Sequence, residues 1–138
     1  MQHAKTVAIV ARTRMHDGRV CVGALSDRGE NMRLMNAACG SESEQQCPYR
    51  VGEAWRISCS PCGERIPPHV EDVAVSESSR LGTVRDIVGH ILQLAKPWRG
   101  GVCALFDGKI RFTKNGAGYI SRTDVPSCST GFWILTAT

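Results

Sequence analysis

Seven basic side chains fall in segments with a β pattern, where their apolar neighbours face inward: Arg12, Arg14, Arg33, Arg56, Lys109, Arg111 and Arg122. A guanidinium forks onto phosphate oxygens and stacks on flat rings, and an ammonium neutralises phosphate charge. Exposed rings such as Tyr119 or Trp133 give bases a surface to stack on. Together these residues predict a surface that holds a single-stranded DNA or RNA by phosphate contacts, with Tyr119 as the stacking ring. The chain carries 17 basic against 13 acidic residues, a net charge of +4, and 13 of the 17 are arginine. That bias fits an anionic partner, although a GC-rich coding genome also raises arginine, and charged strand residues are ordinarily just solvated.

Thiol and imidazole chemistry is the next possibility. Cys59 and Cys62 form a C-x2-C knuckle, and Cys39 and Cys47 lie upstream. Four thiolates can hold zinc tetrahedrally. The upstream pair is more widely spaced than in a zinc ribbon, so no cofactor is expected, and zinc is the metal this set would hold if it held one. Seven cysteines is an odd number, and the opening MQHAKTVAIVAR has an apolar run too short for a signal peptide or a membrane span. Reduced thiols, a cytoplasmic location and no membrane contact are therefore expected. His69, Glu71 and Asp72 bring an imidazole near two carboxylates, yet on a strand only His69 and Glu71 share a face. No nucleophile accompanies them, and no phosphate-binding loop, dinucleotide fingerprint, zinc-protease or esterase motif occurs. The chain reads as a binding module and not an enzyme.

The elements that must position these residues are short and mostly β. At 138 residues, with 42% hydrophobic and 22% charged, the chain suits one compact unit or two very small barrels. Strands are predicted at 6–12 and 19–25, joined by the Asp17-Gly18 turn, and at 32–36. A polar loop of some fifteen residues follows, then strands at Trp55–Cys59 and 70–75. Apolar residues from Leu81 to Ala95 recur at three- and four-residue intervals, which predicts a helix over Ser78–Pro97 with Thr83 and Asp86 as its capping box. Strands are predicted again at 102–106 and 109–113 around Asp107-Gly108, and at 119–123 and 131–136. This organisation gives a first half at 1–77, a connecting helix at 78–99 and a second half at 100–138.

The order of features resembles the dual OB-containing domain family. The resembling pieces are KTVAIVART, GRVCVGAL, NMRLMNA, WRISC followed by PPHVEDVAV, and KIRFTKNGAGYISRTDVP. Two departures stand out: Met32 precedes Arg33 where the family carries an aromatic, and the stretch from Cys39 to Cys62 is unusually rich in cysteine. The resemblance implies a mainly β fold with one helix, a small OB-like barrel or two fused ones, without hydrolytic chemistry, in modules associated with prokaryotic defence systems. A nucleic-acid-binding accessory role follows as the expectation. The alternative is a protein-interaction subunit that docks on a larger effector enzyme through strand edges and the loop from Cys39 to Glu53. A third reading, a small-ligand sensor, draws only on Arg33 and His69.

Overall fold

Alternating apolar residues set the first strands. In β1 (His3–Arg14) Val7, Ala8 and Ile9 are buried, and in β2 (Arg19–Ser26) Val20, Val22 and Ala24 turn inward while Arg19, Cys21 and Gly23 do not. The turn between them uses the Asp17-Gly18 pair as expected, with φ of 61° and 66°, the left-handed region that favours such residues. In β3 (Asn31–Met35) Met32 and Leu34 point inward and Arg33 outward. A two-residue strand, β4 (Glu42–Ser43), interrupts the long loop, and β5 (Glu53–Pro61) and β6 (Asp72–Thr83) complete the set.

This computed structural model describes residues 1–136. The chain divides into two units, Met1–Glu64 with Glu71–Ala95, and Arg65–Val70 with Lys96–Thr138; Ala137 and Thr138 lie outside the described residues. In the first unit β1 pairs with both β2 and β5, β2 with β3, β3 with β6, and β6 with β5, so five strands close a barrel. All these pairings are antiparallel except β3 with β6. β1 pairs β5 along 3–8 and β2 along 7–14, and its register with β2 shifts between Ile9 and Ala11; such a bulge bends a strand around a corner. A closed barrel of this size in a mainly β chain is consistent with a small OB-like fold. Its interior holds Val7, Ile9, Val22, Leu34 and Ile57, each at most 2% exposed. Tyr49 meets Trp55 edge to face at 4.9 Å, and burial pushes the Tyr49 phenol up from its ordinary value.

The helix is shorter than the periodicity predicts, and starts later. Residues 78–83 continue β6 and pair with β5 from Glu53 to Ile57, so the connecting helix over 78–99 is corrected to α1 (Ile87–Leu94). The spacing of Leu81 and Val84 fitted a helical face, but pairing with the adjacent strand outweighed local preference. Leu81 is accordingly exposed. Asp86 caps α1 itself by accepting the Gly89 N–H at 3.0 Å, replacing the predicted Thr83–Asp86 box. The other end of α1 reaches the β2–β3 turn. Gly29 there has φ +82°, and a Cβ would stand 2.4 Å from the Leu94 carbonyl oxygen, so only glycine fits.

The second unit contains no second barrel among the described residues, which corrects the two-barrel alternative. It has two two-stranded sheets: β7 (Trp98–Gly100) runs parallel to β10 (Trp133–Leu135), and β8 (Ile110–Phe112) antiparallel to β9 (Gly118–Ile120). The strand predicted at 102–106 is instead a pair of tight turns, Val102–Ala104 and Phe106–Gly108. Phe106 and Asp107 take φ of 52° and 59° there, which a strand does not allow. No helix among the described residues is long and apolar enough to cross a membrane.

Candidate nucleic-acid interface

The basic residues separate into those the chain itself engages and those it leaves to solvent. Arg12 donates to the carbonyls of Tyr49 and Glu44 at 3.2 and 3.0 Å and so braces the long loop against β1. Arg14, 86% exposed, meets Glu44 at 3.1 Å. Arg33 is opposite Asp72 in the parallel β3–β6 pairing and donates to both carboxylate oxygens at 2.6 and 2.5 Å. This forked pair holds the Arg33 guanidinium above its ordinary pKa, the Asp72 hydrogen bond outweighing the opposing effect of burial. A phosphate would have to displace Asp72 to reach it.

Arg56 is different. It points outward from β5, makes no ion pair among the described residues, and lines a polar cleft of about 350 Å³ with Lys5, Arg28 and His3. Lys5 is held by Glu30 at 2.6 Å. Arg28 was missed by pattern reading because it sits in the SDRGEN turn, where no periodicity marks it.

Four of the expected contact residues lie in the second unit. Arg111 and Tyr119 are direct cross-strand partners on the β8–β9 hairpin, so their side chains leave the same face. The Tyr119 ring is 47% exposed. Lys109, two residues before Arg111, donates to Asp124 at 2.6 Å, and Arg111 reaches the second oxygen of the same carboxylate at 3.3 Å. The Lys109 hydrogen bond first, then Arg111, hold Asp124 below the usual carboxylate range. The hairpin turn runs through Asn115 to Gly118, closed by the Thr113 N–H donating to the Ala117 carbonyl at 2.9 Å. Arg122 is exposed just after β9 and makes no ion pair among the described residues. From residue 109 to 124 there are four cations, with Lys114 on the turn, against one carboxylate. Trp133 donates its indole N–H to the Gly100 carbonyl at 2.9 Å and serves as a clamp between β10 and β7.

The four cysteines of the zinc expectation are not assembled. Cys39 and Cys62 are joined in a disulfide with a Cα–Cα distance of 5.8 Å, while Cys47 and Cys59 are buried in the core. This corrects the expectation of reduced thiols at two of the seven positions: the loop after β3 and the turn after β5 bring them together at the entrance to β6. No group of three or more His, Cys, Asp and Glu side chains among the described residues is placed to hold a metal. His69 is also not on a strand; its N–H donates to the Ile66 carbonyl at 2.9 Å in a turn before β6, and β6 begins at Asp72, not Val70. Glu71 is buried and Asp72 is committed to Arg33, so the three form no acid–base set.

No protein-family model, curated protein or solved structure matches the chain.

Proposed function

We propose that the protein binds single-stranded nucleic acid without enzymatic action, and that the β8–β9 hairpin is its contact platform. The observation that carries this reading is Tyr119, an exposed ring directly across from Arg111 on a hairpin with four cations and one carboxylate. A base stacks on the ring, sequence-tolerantly because every base has a π face, while Lys109, Arg111, Lys114 and Arg122 meet the backbone. Lys109 and Arg111 each give one donor to Asp124, and since an ammonium carries three and a guanidinium five, both have donors to offer a phosphate. In the setting the family resemblance implies, the protein is an accessory subunit of a defence-type complex.

Fluorescence anisotropy with labelled single-stranded DNA, single-stranded RNA and duplex tests this reading. Neutralising three or four phosphates gives a log–log salt slope of about −2 to −3 on a single strand. Tyr119→Ala should weaken binding by about 1 kcal/mol or more per stacked base, whereas Arg33→Gln should leave it nearly unchanged because Asp72 already occupies that guanidinium. Absence of binding at low salt with all three probes sinks the proposal.

A second reading is favoured by one feature of β6. Residues 76–83 pair with β5 alone, since β3 covers only Asp72–Ala74, and this leaves a polar strand edge that a partner protein can extend. A partner on that edge protects the amides of 76–83 from hydrogen exchange and leaves the β8–β9 amides unchanged; nucleic acid does the reverse.

A further inference from the structure

The second unit contains a cleft that neither the barrel nor the Tyr119 face uses. It has a volume of about 480 Å³, within the range of small-molecule sites. Phe106, Ile120, Val125 and Pro126 supply apolar walls, and Pro68 and His69 close one side from the segment that belongs to this unit. Its one cation is Arg122.

Two features indicate what such a cleft would take. The first is charge. Lys109 and Arg111 do not line the cleft and share Asp124, whereas Arg122 lines it and makes no ion pair among the described residues. A cation beside apolar walls selects an anionic group attached to an apolar body, with the guanidinium binding two oxygens at once. The second is the way Phe106 is held. Its backbone is in the left-handed region, φ 52°, followed by Asp107 at 59°, a conformation that a bulky residue keeps only when its surroundings enforce it. Trp98 packs on the Phe106 ring at 5.0 Å. Asp107 accepts from the Ser127 N–H and hydroxyl, both at 3.1 Å, and from the Trp98 indole at 3.4 Å. The turn is thus pinned from two sides, and Phe106 lines the cleft.

We infer that this cleft binds a small aromatic anion, its ring against Phe106 and its carboxylate or phosphate on Arg122. The walls Phe106, Val125 and Pro126 play no part in the nucleic-acid reading, although Arg122 is common to both sites. The two anion sources, a free aromatic carboxylate and a nucleoside monophosphate, share this chemistry.

Isothermal titration of the full chain with naphthoate, uridine monophosphate, naphthylmethanol and naphthylmethylamine tests it. At least one anion should bind, with the neutral alcohol and the amine weaker by about tenfold or more, the scale of a lost charge-assisted hydrogen bond. Arg122→Gln should remove that preference and Arg122→Lys restore part of it. A tighter complex with naphthoate than with the monophosphate assigns the site to carboxylates; the reverse assigns it to nucleotides. Equal binding of amine and naphthoate, an unchanged preference in Arg122→Gln, or no binding of either anion at millimolar concentration overturns the inference. Val125→Trp separates the two proposals: filling the cleft abolishes anion binding, while oligonucleotide anisotropy through Tyr119 is preserved.

Discussion

The barrel unit and the second unit are made from similar short β segments, yet they are held together by different forces. In the barrel, Ile9, Val22 and Leu34 are at most 1% exposed, and burying such side chains contributes about 1.5–3 kcal/mol each. In the second unit Pro126 is the one buried residue among those described. Beside the Trp98–Phe106 ring contact, what orders it is polar: Asp107 accepting from Ser127 and Trp98, Asp124 bridging Lys109 and Arg111, and Trp133 tied to Gly100. Small β segments can be fixed by enclosing a core or by hydrogen bonds around carboxylates, and the second way leaves cations and rings at the surface, where a ligand can reach them.

The largest expected effect comes from attacking the core that only one unit has. Ile9→Ala should cost about 2–5 kcal/mol in chemical denaturation followed by far-UV circular dichroism. The same truncation in the second unit, Ile120→Ala, should cost less than half of that, since Ile120 is only half-buried; equal costs would erase the distinction between the units. Next comes the disulfide, which closes a loop of 23 residues in the barrel unit alone. Replacing both Cys39 and Cys62 with serine should lower stability by about 3 kcal/mol, chiefly by freeing the unfolded chain, and an unchanged denaturation midpoint would show that the bond does not constrain the fold.

The smallest effect is in acid. The Ser127 N–H first, against some burial, and then the Ser127 hydroxyl and the Trp98 indole hold Asp107 below the usual carboxylate range. Asp124 is held low as well. A lowered carboxylate contributes stability that is fully present above its unfolded-state pKa of about 4 and lost as pH falls through the folded-state value. The Trp98 indole N–H resonance should therefore shift between about pH 4 and the acid limit while the methyl resonances of Ile9 and Leu34 stay in place. Glu53 in the barrel unit is also held low: burial raises it, but the Arg80 hydrogen bond, the Arg50 N–H and the Trp55 indole outweigh that. Asp107→Asn should remove the Trp98 shift.

The barrel was legible in the chain because a half-buried strand repeats every two residues: Val20-x-Val22-x-Ala24, Met32-x-Leu34 and Trp55-x-Ile57-x-Cys59 each name the face they bury. Asp17-Gly18 named its turn for an equally local reason, since both residues tolerate positive φ. The same alternation placed a strand at 109–113, but the hairpin expected there with 102–106 gave way to one between β8 and β9, which sets Arg111 across from Tyr119. Other features depended on contacts distant in sequence. Whether residues 78–83 form helix or strand was decided by β5, which offers them a ladder of hydrogen bonds that no spacing of Leu81 and Val84 reveals. The partner of Cys39 was decided by the loops meeting at β6, 23 residues away, and the engagement of Arg33 by a parallel neighbour that brings Asp72 beside it from 39 residues along the chain. Residue type and period determine what each segment can bury or bear on its surface; which charges remain available for a ligand is a property of pairs, and pairs are made only when the chain closes on itself.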